Sequence, residues 1–123
     1  MRLEIHPEYS QIKATCSCGN VILIKSTLKE DISLEELAHR LRVHSIRMTH
    51  FAKASHIGSA LSTVELLAVL YRKILRVDPM NPDWLERDRF ILSKGHGCLA
   101  LYAILADKGF FPIEELADKA YAV

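Results

Sequence analysis

The sequence predicts a mostly α-helical chain with one interior strand, preceded by a β-hairpin. Three observations carry that expectation. A β-branched run follows a Gly-Asn turn near the N-terminus, two helix-opening capping patterns precede apolar residues at helical spacing, and one bulky apolar run leads through a glycine turn into a second apolar stretch. A parallel sheet needs several strands with helices on both faces, and residues 32–123 supply only one convincing strand. That part therefore reads as the beginning of a larger α/β domain.

Ala14-Thr15-Cys16-Ser17-Cys18-Gly19-Asn20 followed by Val21-Ile22-Leu23-Ile24 reads as the hairpin, with Gly19 and Asn20 in its turn. A two-stranded hairpin alone is marginal in water. The extended pattern gives way to helical periodicity over 27–32, which predicts a first segment at 1–31 and a domain at 32–123. Ser33 and Glu36 form a capping box, after which Leu34, Leu37, Ala38, Leu41, Ser45 and Met48 recur on one face of a helix ending near Phe51. Ser62 and Glu65 form a second capping box for a helix through about Arg76, whose run Leu66-Leu67-Ala68-Val69-Leu70 is apolar on every side and calls for burial from several directions.

Asp78-Pro79-Met80-Asn81-Pro82 breaks the chain, and Arg89-Phe90-Ile91-Leu92 is the candidate interior strand. Ser93-Lys94-Gly95-His96-Gly97 and a run of apolar residues from Cys98 to Ala106 follow, with Gly109 placed to stop the helix. Pro112 opens a last helix, with Glu114 and Glu115 in its first turn where the helix dipole favours them.

The chain has 123 residues, half of them apolar, enough for one ordinary domain with a core. Sixteen Lys and Arg against fifteen Asp and Glu leave a net charge of +1, which excludes global attraction to nucleic acid or an anionic membrane. No apolar run approaches the roughly 18 residues of a membrane span, and Met1-Arg2-Leu3-Glu4 lacks the apolar core of a secretory signal, so a cytoplasmic protein with no membrane partner is expected. Three cysteines then read as free thiols.

Gly95-His96-Gly97 between a strand and a helix is the most suggestive local feature. Amides at a helix N-terminus carry partial positive charge, glycines let a phosphate approach closely, and His96 can add a hydrogen bond or a proton. The same tripeptide also suits an ordinary tight turn. His56 lies in Ala54-Ser55-His56-Ile57-Gly58-Ser59, a small-residue loop between helices, either displayed for function or bonded to a nearby carbonyl. His39, His44 and His50 with Arg40, Arg42 and Arg47 read as a solvated basic face of the first helix. Cys16 and Cys18, with His6 as the plausible third ligand, fall short of the four ligands of a structural zinc site. Cys98 reads as a small core residue. No metal site is expected from this chain alone.

Taken together, Leu37-Ala38-His39-Arg40-Leu41-Arg42, Ala54-Ser55-His56-Ile57-Gly58-Ser59, Ile74-Leu75-Arg76-Val77-Asp78-Pro79-Met80-Asn81-Pro82, Arg87-Asp88-Arg89-Phe90-Ile91-Leu92-Ser93-Lys94-Gly95-His96 and Gly109-Phe110-Phe111 resemble the N-terminal region of transketolases in order and spacing, most closely the type in which that region is a separate subunit. The resemblance implies an α/β thiamine diphosphate domain, sugar-phosphate substrates, two-carbon ketol transfer, and a site shared between subunits of a homodimer or with a C-terminal transketolase subunit. By carry-over His56 contacts substrate and intermediates, His96 reaches both the diphosphate and the substrate, and Gly95 is its turn glycine. The family's Gly-Asp-Gly motif and later Asn, which hold Mg²⁺ or Ca²⁺ on the diphosphate, are not in this sequence. The expectation is thus a truncated fragment, inactive alone, in which neither Glu114 nor Glu115 activates the cofactor.

The first segment has a resemblance of its own. Ile5-His6-Pro7-Glu8-Tyr9, Ala14-Thr15-Cys16-Ser17-Cys18-Gly19-Asn20 and Lys25-Ser26-Thr27 look like the start of the thirty-first large-subunit ribosomal protein of bacteria, which implies a fusion of two unrelated pieces. The alternative function is a ribosome-associated structural protein whose hairpin contacts ribosomal RNA. Residues 1–31 carry four Lys and Arg against four Asp and Glu, so the basic footprint of an RNA binder is missing. A helical interaction module on the same scaffold is a third reading.

Overall fold

A computed structural model describes residues 10–15, 21–26 and 32–117. The chain divides into two compact units, Met1–Ile32 and Ser33–Val123. In the first, β1 (Ser10–Thr15) and β2 (Val21–Ser26) pair antiparallel, with Ser10 opposite Ser26 and Thr15 opposite Val21. The expected Gly19-Asn20 turn, Cys16, Cys18 and His6 lie outside the described residues.

The second unit begins with α1 (Leu34–Ala52). Ser33 Oγ accepts the Glu36 amide at 3.1 Å, satisfying one of the donors a helix start leaves open, and Glu35 and Glu36 sit where the helix dipole favours negative charge. Leu37, Ala38, Leu41, Ser45 and Met48 are buried along one stripe. Ser45 is tolerated there because its hydroxyl donates to the Leu41 carbonyl at 2.8 Å. The helix ends on Lys53, whose backbone is left-handed at φ 49° and whose amide donates to the His50 carbonyl.

Two short helices follow, α2 (Ile57–Leu61) and α3 (Val64–Val69), and α3 runs into a π-helical turn, Leu70–Ile74, closed by the Leu75 amide on the Leu70 carbonyl at 2.8 Å. This differs from the single helix expected from Ser62 to Arg76. Ser62 ends α2 rather than opening α3, its hydroxyl donates to the Ser59 carbonyl, and Thr63 Oγ1 turns back to the Ala60 carbonyl at 2.8 Å. Both hydroxyls are drawn backwards to carbonyls, so the capping box predicted with Glu65 does not form. Burial is also one-sided: Val64, Leu67 and Ala68 are buried, but Leu66 remains 57% exposed.

The expected strand at 89–92 does not form among the described residues: the segment has no regular secondary structure and joins no sheet, and Ile91 is 88% exposed. A strand is completed by hydrogen bonds to a neighbour, and 32–117 contain no neighbouring strand to supply them. The loop before it is closed by Arg76 and Asp88. The Asp88 carboxylate accepts the Arg76 amide at 2.7 Å and its guanidinium at 3.0 and 3.3 Å, while the Asp88 amide donates to the Arg76 carbonyl. These bonds from Arg76 hold the Asp88 carboxyl below its ordinary range.

A 3₁₀ turn, Gly95–Gly97, leads into α4 (Cys98–Lys108), which lies against α1 and stops at Gly109 with φ 90°. Fully buried Ala100 and Ala103 let the helices approach closely, and Leu37, Leu41 and Ile104 are essentially out of water, each contributing about 1.5–3 kcal/mol of burial. Cys98 is half-buried rather than in the core. After Pro112 comes a 3₁₀ turn, Ile113–Glu115, that continues helically over 116–117, with Leu116 buried.

The basic face expected on α1 is not simply solvated. Arg42 pairs with Glu65, and Arg40 pairs with Asp107, whose side chain is 1% exposed. Asp107 Oδ2 is buried without a hydrogen-bond partner among the described residues. Burial pushes the Asp107 carboxyl above its ordinary value and outweighs the opposing pull of Arg40, because only one of its two oxygens is satisfied. Burial likewise lowers His44, helped by Arg47. No helix among the described residues is long and apolar enough to cross a membrane.

Removing Arg40 strands a buried carboxylate, so Arg40→Ala is expected to cost about 3 kcal/mol, the lower end for a broken buried pair because Arg40 is partly in water. Arg40→Met combined with Asp107→Leu is expected to recover most of that loss in urea unfolding.

Candidate functional site

His56 and His96 are separated by the whole of α2, α3 and the loop, yet their rings meet with centroids 4.2 Å apart and planes tilted by 33°. Local backbone sets each ring. His56 stands at the start of α2 in a left-handed conformation, φ 71° and ψ 16°, which costs a non-glycine residue about 1–2 kcal/mol. Its carbonyl accepts the Ser59 amide at 2.9 Å, which holds that conformation as the first turn of α2. His96 is carried by the 3₁₀ turn ahead of α4.

The two supports fit closely. A Cβ on Gly97 would lie 3.3 Å from the Ser59 carbonyl oxygen, so this glycine lets the turn seat against α2. Gly95 and Gly58 have no atom within 4 Å of the same position, and space beside both is open. Lys94 Nζ donates to Ser62 Oγ at 2.7 Å, a second link between the turn and α2. All of His56, Gly58, Ser62, Lys94, Gly95 and His96 are exposed to solvent.

Three amide donors of the turn are directed inward. The Gly95 amide donates to Ser93, that of Gly97 to Lys94 and that of Cys98 to Gly95, so these donors are used inside the turn. The side chains that can meet an anion here are the His56 and His96 imidazoles and the Lys94 ammonium. They fit a diphosphate by charge and hydrogen bonding, with Gly95 open for its approach. Among the described residues no group of three or more His, Cys, Asp or Glu is placed to hold a metal ion.

The sequence singled out His56, Gly95 and His96, and the structure brings all three to one place. It did not single out Ser62 as part of this place or Lys94 as its partner, since a hydrogen bond between residues 32 positions apart leaves no local pattern. The only local sign was a serine fit for a cap.

Residues 33–120 match a thiamine diphosphate-binding domain, the family described as transketolase, thiamine diphosphate binding domain. The chain belongs to the transketolase family. It is 47% identical over 88 residues to the 6-deoxy-6-sulfo-D-fructose transketolase subunit SqwG of Clostridium sp. (strain MSTE9), covering 72% of this chain and 32% of that protein. It is 40% identical over 87 residues to transketolase 1 of Escherichia coli (strain K12), covering 70% of this chain and 13% of the relative. With the transketolase of Mus musculus the identity is 44% over 89 residues, covering 70% and 14%. The chain thus spans about a third of the first relative and about an eighth of the other two. Residues 1–50 match ribosomal protein L31, overlapping the first match over 33–50, where α1 runs.

The two turn glycines should respond oppositely to a methyl group. Gly95→Ala is expected to leave thermal stability unchanged or slightly raised, since it restricts only the unfolded chain. Gly97→Ala is expected to lower it, because the atom in the way is a backbone carbonyl of α2.

Proposed function

We propose that the second unit supplies the histidine-bearing part of a thiamine diphosphate site for two-carbon ketol transfer between sugar phosphates, acting with further polypeptide in the cytoplasm. The observation that carries this is the contact of the His56 ring with the His96 ring in a chain of the transketolase family. When bound, thiamine diphosphate supplies the carbanion chemistry. His96 donates a hydrogen bond to the diphosphate, Gly95 lets a phosphate oxygen come close, and His56 faces the substrate, where it can hold or release a proton at a substrate hydroxyl. The Mg²⁺ or Ca²⁺ of the family needs the Gly-Asp-Gly motif and the later Asn, which on this reading belong to the further polypeptide. The same polypeptide would pair with residues 89–92 as a strand and cover Ile91. The domain so completed is α/β.

Thiamine diphosphate titrated into the full chain and followed by calorimetry is expected to bind weakly. His96→Ala is expected to weaken it about tenfold or more, the worth of one hydrogen bond to a charged group. Turnover of a ketose phosphate by the purified chain with thiamine diphosphate and Mg²⁺ would overturn the need for further polypeptide.

One observation favours a second role, for the first unit alone: the match of residues 1–50 to ribosomal protein L31. On that reading the β1–β2 hairpin docks on ribosomal RNA. Cosedimentation with large ribosomal subunits at moderate salt is its expected outcome, and complete release there would count against it.

A further inference from the structure

Ser62 occupies an unusual chemical position. Its hydroxyl hydrogen is directed to the Ser59 carbonyl at 3.0 Å, and an oxygen lone pair accepts Lys94 Nζ at 2.7 Å. The residue therefore donates and accepts at once, which fixes its rotor. Both of its partners belong to the histidine-bearing supports. The Ser59 carbonyl is the atom against which Gly97 is seated, and the Ser59 amide is bonded to the His56 carbonyl. Lys94 is held at its other end too, since its carbonyl accepts the Gly97 amide at 2.9 Å and closes the turn that carries His96.

The 3₁₀ turn is otherwise reached from upstream through a segment with no sheet to steady it. Residues 88–94 have no regular secondary structure and join no ladder among the described residues, and Ile91 faces solvent. Along that segment the Lys94–Ser62 bond is the tie nearest to His96 in sequence. Being exposed, it contributes little to global stability. Its effect is local, because it spans the two elements whose separation sets the distance between the rings.

We propose that Ser62 and Lys94 are positioning residues that hold the His96 turn against α2, so that the contact of the His56 ring with the His96 ring depends on the Lys94–Ser62 bond. Ser62 acts through Lys94 and through the Ser59 carbonyl, and it touches neither imidazole by itself. The inference rests on the reading of His56 and His96 as site residues. It adds that their geometry is set by a serine and a lysine that the core packing does not require.

The test uses the full chain, with the imidazole proton signals of His56 and His96 assigned by His56→Gln and His96→Gln. Native protein should show magnetisation transfer between the two rings. Ser62→Ala and Lys94→Met should each abolish that transfer while helix content by circular dichroism is kept, and Ser62→Thr, which retains the hydroxyl, should restore it. Survival of the ring contact in both deleting variants overturns the proposal. If Ser62→Ala unfolds, Lys94→Met at an exposed position decides, and unfolding of both overturns the proposal by showing that the bond serves the fold. Thiamine diphosphate titration is a separate arm. A chain that binds no cofactor yet loses the ring contact in these variants defeats the functional reading and leaves the coupling standing. A chain that binds cofactor while the contact ignores Ser62 does the reverse.

Discussion

Asp107 is a carboxylate in the last turn of α4, nearly out of water and at the helix end where the dipole disfavours negative charge. Two unfavourable terms meet there, and the pairing with Arg40 on α1 offsets them in part, in one relative placement of the two helices. That placement has consequences at the far end of α4. The helix is about 16 Å long at 1.5 Å per residue, and the turn bearing His96 is joined to its first residue. Fixing α4 on α1 through Arg40 therefore also fixes where His96 can reach. Small residues at 100 and 103 remove the bulk that would otherwise hold the helices apart.

At the site end a second set of restraints takes over. Gly97 meets the Ser59 carbonyl, Lys94 meets Ser62, and His56 accepts a strained backbone so that its ring stands beside that of His96. Hydrophobic burial along α1, α3 and α4 provides the platform, but these polar and steric details decide the arrangement. The charged clamp between Arg76 and Asp88 does similar work for the loop, joining its ends through both backbone and side chains.

What was legible in the sequence follows the range of the forces involved. The Ser33 cap, the buried stripe from Leu37 to Met48 and the stop at Gly109 each depend on residues within a few positions of one another. The Ser62 cap failed because its hydroxyl had a better partner on Lys94 and a nearer carbonyl on Ser59, and only the first of these is distant in the chain. The strand at 89–92 failed because a ladder belongs to two strands and only one is present among the described residues. Arg40 was read as solvated because Asp107 is 67 residues away. His56, Gly95 and His96 stood out by local pattern and took their roles from family likeness, whereas the meeting of the two rings could be known only from coordinates.

The π-helical turn at Leu70–Ile74 bears on how this segment tolerates change in length. A π turn accommodates one more residue than an α turn, and Tyr71, buried within it, packs edge-on against Phe90 at 6.0 Å between ring centroids. Deleting a single residue there would let the segment close with ordinary α bonds, and because five residues at π pitch and four at α pitch sweep nearly the same angle, Arg76 would keep about its present direction toward Asp88. The change would fall on Tyr71 and its neighbours instead, whose seat against Phe90 depends on the wider turn. A gap of one is thus absorbed here more readily than within α1 or α4, where it would turn every later residue onto another face.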